Sequence, residues 1–300
     1  MKSSNFDLTF FEEWLKNKHL IADSTIFVYV KSVERFLKRS PNISDIDDYN
    51  NFLIEVTKHK RCIHYYFALK LYIKFKISDS KLKEKLMTNM IKPKQRDDYL
   101  KERRYLKEDV IFEVINFMEN PKHRVLAMIQ AITGVRAGDI LRLSKDNGIM
   151  PEEYKDKPTL RLNIIGKRGK RNVVYIHDQV AQHLIMNYIK NNVSATDYYF
   201  LDKGTMTRRY GQLDKLHLMI KMNYQWYWID LKQALNSAGI NRDDFATHDF
   251  RRCFARRNWD KFKDVLILQK ALRHKDPKTT LRYLEQSGLD TIDIHYEMQK

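Results

Sequence analysis

Arg136, Lys167, His248, Arg251, His274 and Tyr283 together supply the residue types needed to break a phosphodiester without a metal ion. The phosphorane-like transition state gathers negative charge on its non-bridging oxygens. Fixed guanidinium groups stabilise that charge bidentately, as a cation would. A phenol is a competent nucleophile at phosphorus once those cations are in place. The departing 5′-oxygen needs a proton, and a lysine on a hairpin can give it.

Each position also has an ordinary structural reading. An apolar helix (Val125, Leu126, Met128, Ile129, Ile132) stops at Gly134, and Arg136 follows at once, with Asp139 one helical turn away. Taken alone this is a helix cap with a surface arginine. Lys167, Arg168, Lys170 and Arg171 crowd a glycine-containing turn, which suits a phosphate contact and equally suits solvation. In Thr247–Phe254, the pair Phe250 and Phe254 anchors one helical face, and His248 and Arg251 share another. A solvated basic face with Arg252, Arg256 and Arg257 explains that pattern as well. His274 closes a helix, where the dipole favours a protonated imidazole. Tyr283 lies two turns into the next helix and is one of 17 tyrosines. The combination and its order are what point to phosphoryl transfer.

The elements that must position these residues are mostly helical. The first glycine is Gly134, so the preceding chain has few turns that need positive φ. Ile26, Tyr29, Val33 and Leu37 recur at helical spacing, with Asp23 or Ser24 as cap. A helix opens near Ser44–Asp47 in a capping-box-like start. Cys62 to Lys76 is apolar nearly all round, as a buried helix would be. Residues 8–18 and 80–90 add one helix each. Residues 91–104 are polar, charged and aperiodic, which predicts a linker. Beyond it, helices are expected at 107–118, 122–133, 137–143, 178–190, 226–238, 247–259, 263–273 and from Pro277, with a last one over 289–298. Alternation in Leu160, Leu162 and Ile164, followed by Val173 to Ile176, predicts a β-hairpin. The segment 201–225, with Arg208 and Arg209, is basic and reads as a DNA-contacting excursion. The expected fold is therefore mostly α with a small β-hairpin or sheet, an α+β chain.

Global composition narrows the classes. The chain has 300 residues and a formal net charge of +17, spread evenly along its length rather than gathered in a tail. Such a balance favours a polyanionic partner, nucleic acid first. Its 43% hydrophobic content suffices for packed cores, which argues against wholesale disorder. No apolar run is long enough for a membrane helix, and Asp7, Glu12 and Glu13 interrupt any signal-peptide stretch. A cytoplasmic, nucleoid-associated protein is expected, with no membrane partner. Cys62 and Cys253 cannot form a disulfide framework or a four-cysteine zinc site. No carboxylate or histidine cluster with ligand spacing lies near the basic boxes, which argues against a metal-dependent nuclease. No cofactor and no metal are expected.

The ordered motifs resemble those of the tyrosine recombinases, the phage-integrase family of site-specific DNA recombinases. Thr133, Gly134, Arg136, Asp139 and Leu141 match the family's T-G-x-R-x-x-E/D-L-like box. Lys167 matches the hairpin lysine, with Lys170 as alternative. His248 and Arg251 match H-x-x-R, and Leu272, His274, Thr279, Thr280 and Tyr283 match L-G-H-x-x-x-x-T-T-x-x-Y. Arg273 stands where that last pattern has glycine. The resemblance implies a helical core-binding domain over 1–90, the linker 91–104 and a catalytic domain over 105–300, closing as a C-shaped clamp on DNA. It implies Tyr283 as nucleophile forming a 3′-phosphotyrosyl link, Arg136 and Arg251 as phosphate clamp, and Lys167 as general acid. His248 would act as acid/base or phosphate ligand, His274 as hydrogen-bond donor, and Asp139 as the residue orienting Arg136. Arg168, Lys170, Arg171, Arg208, Arg209 and Arg252 are candidate DNA contacts. The implied partners are double-stranded DNA with a core site, a tetramer of the chain on that DNA, and accessory DNA-bending proteins. The last helix, 289–298, docks in cis or in a neighbouring protomer. Integration, excision and dimer resolution all fit. A type IB topoisomerase-like enzyme and a non-catalytic DNA-binding protein of the same fold are the alternatives.

Overall fold

The structure is a computed structural model that describes residues 3–18, 21–39, 41–56, 62–93, 106–166, 169, 171–192, 196–202, 216–243 and 245–285. The chain divides into two compact units, Met1–Tyr99 and Leu100–Lys300. No described helix is long and apolar enough to cross a membrane.

The first unit is helical: α1 (Ser3–Lys18), α2 (Asp23–Leu37), α3 (Ile46–Val56), α4 (Cys62–Lys76) and α5 (Ser80–Asn89). Its core is aromatic, built on Phe11, Phe36, Tyr49, Phe52 and Tyr72. Helix α4 packs against the other four, which accounts for its apolar character on most sides. The exception is Phe67, which is exposed. Asp79 caps α5 through the Lys81 and Leu82 amides at 2.8 and 3.1 Å. The expected cap of α2 is absent: Asp23 is already helical, and Ala22 occupies the cap position without a side-chain bond.

The second unit opens with α6 (Glu108–Asn116), α7 (Pro121–Thr133) and α8 (Ala137–Ile140). A three-stranded antiparallel sheet follows: β1 (Ile149–Tyr154), β2 (Lys157–Ile165) and β3 (Arg171–Ile176), with β2 central. Registers pair Ile149 with Leu162 and Leu162 with Val174. The expected hairpin is thus β2–β3, and β1 is an addition to it. Strand β1 carries Pro151 and two glutamates and shows little alternation, a composition tolerated at a sheet edge. Helices α9 (Gln179–Asn191), α10 (Leu216–Ser237), α11 (Asp249–Phe262), α12 (Val265–Leu272) and α13 (Pro277–Glu285) complete the described fold. Helix α10 begins ten residues before its expected start at 226, so 216–225 is helix rather than excursion. Its buried residues include Met219, Met222, Asn223 and Tyr227.

The main core of this unit joins α6, α7, the sheet, α9, α10 and the start of α11. A smaller cluster of Phe254, Ala255, Leu268, Leu272, Tyr283 and Leu284 packs α12 and α13 onto the other side of α11. Helix α11 therefore lies between two apolar surfaces, and its first turn lies where the motif residues meet.

Candidate active site

The site begins at the end of α7. Gly134 takes φ +63° and turns the chain toward Arg136. A Cβ at this position would stand 2.5 Å from Cδ1 of Phe254, so both the backbone region and the packing require glycine. One buried amide ties this turn to the start of α11. Gln130 Nε2 donates to the carbonyls of Val135 (3.3 Å) and Thr247 (3.2 Å), and its Oε1 accepts from the Tyr227 hydroxyl at 2.7 Å. Gln130 was not among the expected site residues. A lone glutamine in an apolar helix was the available signal.

Arg251 is fully buried. Its Nη1 donates to the Gly134 carbonyl, and its Nη2 donates to the Leu272 carbonyl and to His274 Nε2, the latter at 3.0 Å. One guanidinium thus links the ends of α7, α11 and α12. Its Nε is buried and has no partner among the described residues. Burial, then the charge of Arg136, lowers its pKa to about 10, which leaves it cationic at neutral pH.

His274 is also buried. Because Nε2 accepts from Arg251, Nδ1 must carry the proton, and it donates to Thr280 Oγ1 at 2.9 Å. Burial, followed by the charges of Arg251 and Arg136, pulls the imidazole down to about 4. The protonated imidazole expected from the helix dipole is thus not present at neutral pH. Desolvation and neighbouring arginines outweigh a partial charge at a helix end.

Tyr283 sits in the small cluster on α13, 8% exposed. Its hydroxyl is hydrogen-bonded to His248 Nε2. The imidazoles of His248 and His274 meet the phenol ring edge-on, with centroids at 5.6 and 5.1 Å. The guanidinium carbons of Arg251 and Arg252 each lie 5.9 Å from the ring centre. His248 is pulled down to about 4 by burial, then by Arg251, Arg252 and Arg136. Arg252 is paired with Asp249, whose other carboxylate oxygen accepts from the Ala246 amide at 2.6 Å.

Arg136 is the open member of the group, its side chain 44% exposed. Asp139 lies 3.9 Å from Arg136 Nη1 and 3.6 Å from Arg142 Nη1, so this nearly buried carboxylate is shared between two arginines. Arg142 was not foreseen. Arg171 opens β3 and is exposed. Lys167, Arg168, Lys170, Arg208, Arg209, most of the expected linker 91–104 and the expected helix 289–298 lie outside the described residues. The fold therefore brings together Arg136, Asp139, His248, Arg251, Arg252, His274 and Tyr283. Among the described residues, no group of three His, Cys, Asp or Glu side chains could hold a metal ion.

Comparison with known proteins places this geometry in a family. Residues 104–288 match the phage integrase family. Tyrosine recombinase XerA of Saccharolobus solfataricus is 27% identical over 184 residues, covering 61% of this chain and 52% of that protein. Tyrosine recombinase XerD of Rickettsia prowazekii is 23% identical over 186 residues, covering 59% of this chain and 56% of that protein. The matched region spans little more than half the length of these relatives. In three dimensions, XerH site-specific recombinase bound to a palindromic difH substrate superposes with a TM-score of 0.63 at 17% identity, covering 98% of this chain and 85% of that one. A lambda integrase dimer bound to a COC′ core site gives 0.63 at 15% identity, covering 95% and 78%. These likenesses extend the shared fold over both units. With its motifs in order and 104–288 matched, the chain belongs to the phage integrase family of tyrosine recombinases.

Proposed function

We propose that the protein is a site-specific DNA recombinase that cuts and rejoins strands through a 3′-phosphotyrosyl intermediate, without metal or ATP. The observation that carries this reading is the convergence of His248, Arg251 and His274 on the phenol ring of Tyr283. XerH holds a difH substrate, lambda integrase a COC′ core site and the Tn1549 transposon integrase circular intermediate DNA in the structures this chain resembles, which supports DNA as the substrate.

The geometry supports the following steps. Neutral His248 accepts the hydrogen bond of the Tyr283 hydroxyl and is the nearest base for its proton. A pKa of about 4 makes it a weak base while no anion is present. A phosphate seated between Arg136 and Arg251 offsets those cations and moves the imidazole back toward its ordinary value. The anion that Tyr283 attacks thereby primes the base that activates Tyr283. Arg251 offers the phosphate its unpartnered Nε–H, and Arg136 offers an exposed guanidinium. Asp139 restrains Arg136. Lys167 supplies the proton to the 5′-oxygen as it leaves, and Lys170 is the alternative. The bond lost from the DNA backbone is kept as a tyrosyl phosphodiester, so the 5′-hydroxyl of a partner strand reverses the reaction with no external energy.

Exchange between two duplexes requires four copies of the chain on DNA, with the 289–298 segment as the candidate link between them. Accessory bending proteins would belong to the target site.

Covalent capture tests the proposal. The protein is incubated with nicked duplexes cut from DNA flanking its own gene, and SDS-resistant adducts are sequenced and mapped. An adduct at Tyr283, absent in Tyr283→Phe, is expected. Relaxation of supercoils without recombinant products would favour the topoisomerase-like reading. Salt-sensitive binding with identical behaviour of Tyr283→Phe in every assay would favour a binding protein.

A further inference from the structure

Arg273 breaks two rules at once. It holds a left-handed backbone, φ +57°, at the C-cap of α12, where the family pattern has glycine. A non-glycine side chain is disfavoured there. It also buries its Nη2, which has no hydrogen-bond partner among the described residues. A strained backbone and an orphaned guanidinium donor in one residue need a compensating interaction. The residue is next to His274, whose ring packs on Tyr283 at 5.1 Å.

Its charged surroundings say what is missing. Burial holds the Arg273 guanidinium below the usual arginine range, Asp139 opposes that shift and Arg136 adds to it. Arg273 in turn depresses both Arg251 and His274. Arg251 donates to the Leu272 carbonyl and to His274 Nε2, the residues on either side of Arg273, and the charges of Arg136, Arg251 and Arg273 act on one another there. The carboxylate acting on this group is Asp139, and it is already shared with Arg142. Such a group has more fixed positive charge than its own acids offset. An anion between the arginines would satisfy the unpaired donors of both Arg251 and Arg273.

We propose that Arg273 is a third phosphate-contacting arginine of this site, its free Nη2–H donating to a non-bridging oxygen of the DNA phosphodiester held by Arg136 and Arg251. This rests on the recombinase reading for the identity of the anion, and on the local geometry alone for the existence of an anion site. The residue adds a donor to the phosphate clamp and takes no part in proton transfer.

The test sets stability against anion response. Arg273→Gly restores the residue that the left-handed backbone prefers, so without anion it should melt higher than the parent by about 2–4 °C. Inorganic phosphate should raise the melting temperature of the parent and have at most half that effect on Arg273→Gly. Arg273→Lys, which keeps a charge but not the planar fork, should fall between them. In single-turnover capture on nicked duplexes, Arg273→Gly should form the Tyr283 adduct at least tenfold more slowly. Equal phosphate response and equal adduct rates in Arg273→Gly and parent would overturn the proposal. A lower melting temperature for Arg273→Gly with an unchanged phosphate response would overturn it too, since the side chain would then be a structural support. If the parent forms no adduct, the recombinase reading falls, and the phosphate-dependent melting still decides the role of Arg273.

Discussion

The hydroxyl of Tyr283 rests on Nε2 of His248, a residue from the opposite end of the α11–α13 segment. Helices α12 and α13 fold back over α11 through the small cluster of Phe254, Leu268, Leu272 and Leu284. That return brings the phenol to the imidazole. The contact pairs the phenolic hydroxyl with an imidazole nitrogen inside the site.

Acid should weaken the protein through its two site histidines. Both have folded values near 4, against 6.5 when unfolded. Between those values the unfolded chain binds more protons, so stability rises with pH across the window and falls as pH drops from 6.5 toward 4. The combined loss is on the order of a few kcal/mol by linkage. Urea melts at pH 5 and pH 7.5 should show it, and His274→Asn should flatten the slope. An identical slope in that variant would place the acid sensitivity elsewhere.

Arg251 should matter for folding as well as for phosphate binding. Arg251→Ala leaves the Gly134 and Leu272 carbonyls without their donor and opens a void between α7, α11 and α12. A loss of about 2–4 kcal/mol is expected. Arg251→Lys keeps the charge but cannot bridge both carbonyls and His274, so it should recover only part of that stability. Full recovery in chemical denaturation would show that charge alone suffices.

Gly134→Ala probes the turn that aims Arg136. A methyl group there meets the Phe254 ring and must adopt a positive φ, so a cost of about 1–3 kcal/mol is expected. Because Gly134 also anchors Arg251, adduct formation should fall further than the loss of folded protein explains. Comparing the rate per folded molecule with the parent checks this, and equal rates would confine the effect to stability.

Binding to DNA should weaken steeply with salt, since lysine and arginine contacts release counterions from the phosphates. A plot of log affinity against log salt should be linear with a slope of several units. Arg136→Ala should reduce the slope by about one. A flat response in the parent would contradict a phosphate-dominated interface.

Much of this site is legible in the amino-acid sequence. Helical periodicity placed most of the helices, because those such as α2 and α3 present an apolar stripe to a core. The order of the arginine, histidine and tyrosine boxes picked out Arg136, His248, Arg251, His274 and Tyr283, and all five meet in space. Strand β1 escaped notice because Pro151 and its glutamates carry no alternation. The first ten residues of α10 escaped it because 216–225 mixes apolar and polar side chains around the helix.

The sequence by itself determined the residue types, their order and the helical frame that carries them, since these follow from local spacing and composition. Tertiary structure decided the states of those residues. Arg251 is a buried cross-link between three elements, His274 is neutral, Asp139 is shared by two arginines, and Arg273 turns an unpaired donor inward. Each of these depends on contacts between residues far apart in the chain, where burial and neighbouring charge outweigh local preference.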